Sequence, residues 1–292
     1  MSIPAAYFGV IVIWSTTPLA IKWSGEISFL FGLSGRMVLG ALLCLLIIAL
    51  WRVEFPWHKR ARWNYLAISV GTYGAMMSVY WGAQFIPSGL ISVLFGLSPI
   101  ITSILTMIWL GNNRISVSKW AGMLLGIIGL GFIFKTELGM GTEGLKGLLA
   151  ILLAVFLHSF SAVWVKRLNV GISPLAMTCG GLLVSLPFYG MTWLLLGESL
   201  PTTLPTRPLL SILYLGIFGS VIGFIFYYYI LKHIDANRVA LITLITPITA
   251  LLLGQHLNNE VIHTTIWVGA SIVLAGLGLY QWGEKWVKFG NR

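Results

Sequence analysis

Charge is what this chain has least of. Only 9% of its 292 residues are Asp, Glu, Lys or Arg, and 58% are apolar; an ordinary soluble domain carries about 25% charged residues. A water-soluble fold of this length cannot hide so much apolar surface, so its solvent is lipid. None of the eight acidic residues (Glu26, Glu54, Glu137, Glu143, Glu198, Asp235, Glu260, Glu284) falls at the centre of an apolar run. That argues against a carrier coupled to protons or sodium through a buried carboxylate. There is no acidic metal-binding cluster, and neither a metal nor a cofactor is expected. The two cysteines, Cys44 and Cys179, lie inside apolar runs and read as small packing residues, not a disulfide. The first apolar run lacks a basic leader and a small-residue cleavage site, so it is expected to stay in the mature protein.

What is present is a series of ten continuous apolar stretches, near 3–21, 28–50, 61–84, 88–110, 118–134, 144–166, 173–196, 208–232, 237–257 and 265–282. A spanning helix needs about 20 such residues. Barrel strands would be shorter and would alternate, so the fold class is an all-α integral membrane protein. The formal charge of +10 is a topology signal and not a nucleic-acid footprint. With the N-terminus inside, the inner loops and tail hold thirteen Lys and Arg residues, among them Arg60, Arg62, Lys166 and Arg167. The outer loops hold four: Lys22, Lys135, Lys146 and Arg207. By the positive-inside rule both termini are cytoplasmic.

The second five stretches are a degenerate copy of the first five. Tyr80-Trp81, Ile86 and Leu97-Ser98-Pro99-Ile100 reappear 148 residues later as Tyr228-Tyr229, Ile234 and Ile245-Thr246-Pro247-Ile248. Trp120, Gly122, Gly129 and Gly131 reappear 147 residues later as Trp267, Gly269, Gly276 and Gly278. The expected units are 1–136 and 144–284. Five spans per unit is odd, so the copies enter the membrane in opposite senses, as in secondary transporters built from inverted repeats. Loop charge agrees: Arg114 and Lys119 follow the fourth span, whereas no Lys or Arg follows the ninth.

Pro99 and Pro247, with Pro18 in the first span, are expected to interrupt helices and serve as gating points; each frees the carbonyl four residues back, of Phe95, Thr243 and Trp14. Packing kinks are the alternative. Two ionisable groups lie deep. Arg36, about 12 Å into the second span at 1.5 Å per residue, either binds a substrate carboxylate or phosphate or snorkels outward. His158, near mid-span, is a gating or contact residue or a satisfied structural histidine. Tyr73, Met77, Tyr80 and Gln84 share one face at helical spacing, and Phe224, Tyr228 and Leu231 repeat it. With Trp14, Thr17, Trp164 and Thr243, these residues are expected to wall a central, mostly apolar pocket. His158 beside Ser159 and Ser161 is the only semblance of a catalytic pair, so an intramembrane enzyme is not expected. Gly122-x-x-x-Gly126 packs helices within one chain or between two, leaving monomer and homodimer both open.

The order of these motifs resembles the EamA-type proteins of the drug/metabolite transporter superfamily over nearly the whole length. The resemblance rests on Trp14-Ser15 closing with Lys22, on Arg36, on Ser98-Pro99 and Thr246-Pro247, and on the Trp/Gly pattern of the fifth and tenth spans. It implies ten helices, a bacterial inner-membrane location, and small organic solutes as substrates, most often amino acids being exported. An uptake carrier or a facilitator for another metabolite or lipid-linked solute is the alternative. One departure is visible: a Glu common after the fourth and ninth helices in the family is present as Glu260, while the first repeat has Asn112-Asn113.

Overall fold

The computed structural model describes residues 2–110, 116–139, 142–233 and 242–290, and its regular structure there is helical throughout. Numbered by ordinal, the first helix is Ile3–Ser24 and the second Phe29–Trp51. The third runs Lys59–Ser69, passes through a π-helical stretch at Val70–Ala75, and continues as Met76–Gly82. The fourth comes in two pieces, Ser88–Phe95 and Ser98–Leu110. The fifth is Val117–Gly139, the sixth Thr142–Leu168 and the seventh Pro174–Leu196. The eighth runs Thr206–Tyr214, is π-helical at Leu215–Ile222, and ends as Gly223–His233. The ninth is Ile242–Asn258 and the tenth Thr264–Gly290. Among the described residues, eight helices are long and apolar enough to cross a bilayer: the first, second, fourth to eighth and tenth. Their outward faces agree, with Leu42, Leu46, Leu50, Ile108, Leu194 and Leu195 exposed, a surface that only lipid covers at low cost.

Local chemistry sets the ends. Ser28 accepts from the Phe31 amide and Ser173 from the Ala176 amide, each capping orphan donors at a helix start. These serines stand 145 residues apart, and so do Arg52 and Gly197, left-handed residues that stop the second and seventh helices (φ 49° and 62°). The two copies therefore match at both ends of their second helix.

The fifth and tenth helices pack along a seam of small residues. A Cβ on Gly122 would lie 2.5 Å from the Gly276 carbonyl oxygen, and one on Gly129 would lie 2.6 Å from that of Gly269. Numbers rise on one helix as they fall on the other, so the two run antiparallel. The repeat offset of 147 turns the first pair into the second, so a pseudo-twofold axis crosses this seam between the helices. Gly122-x-x-x-Gly126 is thus used inside one chain.

The matched irregularities are not where the prolines placed them. Pro99 does follow a break: Gly96 and Leu97 close a turn, and Pro99 sits at the start of the next piece, where its missing N–H costs nothing. Pro18 and Pro247 instead lie inside continuous helices. In lipid, neighbours and hydroxyls absorb such defects; around Pro18, Ser15, Thr16 and Thr17 all donate back to carbonyls of the preceding turn. The symmetric interruptions are the π-helical stretches of the third and eighth helices, an arrangement frequent at functional sites.

Candidate functional site

Three layers follow one another along the molecule. The first is a pocket in the half nearer the N-terminus. The third helix (Ile68, Gly71, Thr72, Met76), the sixth (His158, Ser161, Ala162, Val165) and the eighth (Phe224, Tyr227, Tyr228) line it. His158 sits in an aromatic cage, its ring 6.5 Å from Trp14, 5.8 Å from Phe95 and 6.1 Å from Tyr227 between centroids. It makes no hydrogen bond to a described residue, so its nitrogens are free for a solute or water. Ser159 donates to the Ser98 carbonyl and Ser161 to the Ala67 carbonyl, which spends both hydroxyls and leaves His158 without a nucleophile.

The second layer is Arg36, 1% exposed. Its Nε donates to Ser220 Oγ at 3.0 Å, and the guanidinium lies 5.9 Å from the Tyr80 ring centroid. Tyr80 is itself buried and accepts a hydrogen bond from Ser24. The snorkelling alternative for Arg36 therefore fails: the side chain stays inside the bundle, held by the π-helical stretch of the eighth helix.

The third layer closes the opposite face. Glu260 is its hub, 6% exposed, with Oε1 3.9 Å from Lys22 Nζ. Its Oε2 accepts from the Ser88 amide and hydroxyl at 2.9 Å each, and Asn258 Nδ2 donates to Oε1 at 2.9 Å. Lys22 also donates to the Ile86 carbonyl at 2.8 Å. Asn258 Oδ1 accepts from Trp23 Nε1 and from Arg207; Arg207 in turn covers the Trp23 ring at 4.5 Å and pairs with Glu26 at 3.5 Å. The first, fourth, eighth and ninth helices are tied together here. At the offset of 148, Glu260 corresponds to Asn112, outside the described residues. Lys166, the counterpart of Lys22, makes no ion pair with a described residue. One face is bolted electrostatically, and the bolt has no described twin.

Of the expected contact residues, His158 and Tyr228 line the pocket, and Trp14 packs against the rings of His158 and Tyr227 outside its lining. Tyr73 points elsewhere: its hydroxyl pairs with Thr192 at 2.6 Å and its ring packs on Phe188 and Tyr189 of the seventh helix. Met77 packs into the main core. Tyr73 lies within the π-helical stretch, and Met77 and Tyr80 follow in the regular helix Met76–Gly82. Trp164 stacks in a cluster with Trp63, Trp109 and Phe160, outside the pocket lining. Thr17 donates to the Ile13 carbonyl. The side chain of Thr243 lies outside the described residues. Sequence reasoning missed Ser220, Thr72, Ser88, Trp23, Arg207 and Asn258. Thr72 and Ser220, hydroxyls 148 residues apart in a repeat already visible, were findable.

Comparison with known proteins agrees with this architecture. The chain is 26% identical over 272 residues to the uncharacterized transporter YoaV of Bacillus subtilis, covering 92% of each chain. It is 25% identical over 293 residues to the uncharacterized inner membrane transporter YedA of Escherichia coli, covering 96% of this chain and 92% of that one. A solved crystal structure superposes with a TM-score of 0.68 at 18% identity, covering 96% and 97% of the two chains, which speaks to the fold alone. The profile described as the EamA-like transporter family matches residues 3–135 and again residues 145–281, and this chain belongs to that family.

Proposed function

We propose that this protein is a secondary carrier of the bacterial inner membrane that exports amino acids or closely related metabolites by alternating access. The observation that carries the reading is one-sided closure: an aromatic pocket toward the face that holds the N-terminus, and a charged bolt across the other face. The positive-inside rule assigns the N-terminal face to the cytoplasm, so the pocket loads from inside and the bolt holds back the periplasm. His158, Tyr227 and Tyr228 offer ring faces and polar edges to a small amphipathic solute, with Trp14 packed against them. The pseudo-twofold seam supplies the symmetry by which two repeats rock past each other.

The test is flux in proteoliposomes containing purified protein, over a panel of labelled amino acids, with and without preloaded unlabelled solute. Saturable flux accelerated by the preloaded solute is expected. Flux equal to protein-free vesicles for every compound would overturn the reading. Linear, unaccelerated flux would leave a facilitator instead.

A further inference from the structure

The guanidinium of Arg36 is buried, always charged, and underpartnered. Nε reaches Ser220, but neither terminal nitrogen hydrogen-bonds a described residue, and Nη1 is fully enclosed. No described carboxylate pairs with it. The Tyr80 ring at 5.9 Å is weak compensation. A purely structural arginine at this depth would be expected to have its donors met, because an unpaired charge inside a bilayer is costly.

The fold itself does not ask for arginine here. At the offset of 145 set by the matching caps, Arg36 corresponds to Gly181, and Gly40 to Ser185. At 148, Ser220 corresponds to Thr72. In the second copy of this interface Thr72 meets the Gly181 carbonyl at 3.4 Å and Ser185 at 2.6 Å. In the first copy Ser220 meets Arg36, and a Cβ on Gly40 would lie 3.0 Å from Ser220 Cβ. The same joint is therefore closed once with small residues and once around a guanidinium. Gly219 makes room for that guanidinium, since a Cβ there would lie 3.0 Å from Nη2.

Position completes the case. Ser220 precedes Phe224 of the pocket by about one turn, and Tyr80 is bonded to Ser24, next to Trp23 of the bolt. Through Ser220 and Tyr80, Arg36 lies between the two layers. Resting on the carrier reading above, we propose that Arg36 is the receptor for an oxyanion group of the solute, a carboxylate or a phosphate, held by the free fork of terminal N–H donors.

The experiment measures thermal unfolding of the purified full-length protein at fixed ionic strength with sodium benzoate, benzamide, inorganic phosphate or sodium chloride. Benzoate or phosphate is expected to raise the midpoint of the wild type, with benzamide and chloride inert. Benzoate alone would identify a carboxylate, phosphate alone a phosphate ester. Arg36→Gln is expected to fold with an equal or higher midpoint and to lose the anion response. Arg36→Lys is expected to need at least threefold more anion, because a point charge cannot fork; it carries the test if Arg36→Gln fails to fold. Absence of any anion response in the wild type, or an unchanged response in the variant that folds, overturns the assignment. The assay reads binding and not flux, so anion binding without transport would sink the carrier reading alone.

Discussion

Replacing Glu260 with Gln should unbolt one face of the protein. At 3.9 Å from Lys22 and an effective dielectric of about 20, the charge pair is worth about 4 kcal/mol before screening. Lys22 retains 29% of its exposure, and screening leaves roughly half of that, about 2 kcal/mol. Weakening two charge-assisted bonds from Ser88 to neutral ones adds about 1 kcal/mol. Gln keeps the shape and one acceptor, so the backbone is undisturbed. The partners sit on the first, fourth and ninth helices and must part when this face opens, so the loss of about 2–3 kcal/mol falls on the closed state. At 1.4 kcal/mol per decade, the open fraction rises roughly 30–100-fold. Ser24, fully buried beside Trp23, provides the reporter. Ser24→Cys is expected to react slowly with an impermeant maleimide applied to the bolted face, and at least tenfold faster when combined with Glu260→Gln. The native Cys44 and Cys179 are buried and replaceable by Ala. An unchanged labelling rate would refute the bolt, as would simple additivity of Glu260→Gln and Lys22→Met in a double-mutant cycle.

Other outcomes follow from the same geometry. Gly129→Leu should lower the unfolding midpoint by an overpacking cost of about 1–3 kcal/mol, because its Cβ collides with the Gly269 carbonyl; Gly131→Ala, with nothing within 4 Å, should be neutral or stabilising by up to about 1 kcal/mol. Tyr189→Phe removes the hydroxyl that donates to the buried Thr72 carbonyl and should cost about 1–3 kcal/mol in denaturant titration, loosening the third helix against the seventh. His158→Phe preserves the ring cage and should cost under about 1.5 kcal/mol of stability while changing the KM for transport at least tenfold. An unaltered KM would remove His158 from the solute path.

Much of this is legible in the sequence. Pro99 and Pro247 expose the duplication, and the odd number of spans per copy implies the inversion seen at the Gly122–Gly276 and Gly129–Gly269 contacts. Trp14, His158 and Tyr228 were legible as neighbours because aromatic and imidazole groups are conspicuous in apolar spans. The π-helical stretches were not, since Val70–Ala75 and Leu215–Ile222 carry no residue type that marks a wide turn; only packing against the second, sixth and seventh helices selects it. Tyr73 turns to Thr192, Phe188 and Tyr189 of the seventh helix, partners that spacing within the third helix does not name. The bolt was half visible: Lys22 and Glu260 stand out, but Ser88, Trp23, Asn258 and Arg207 are joined by long-range contacts across 172 residues or more of chain in the case of Ser88 and Glu260, a distance no local pattern spans.

The glycine seam has a consequence for energetics. On the alternating-access reading proposed above, the twofold exchanges the seam's contacts, so letting each repeat adopt the other's posture leaves the seam intact and gives the everted form. In that form the cation brought to the closing point is Lys166, and the residue at Glu260's place in the sequence is the uncharged Asn112. On that reading the two postures are alike in shape yet unequal in energy, and the duplicated fold favours the posture in which the bolt is closed.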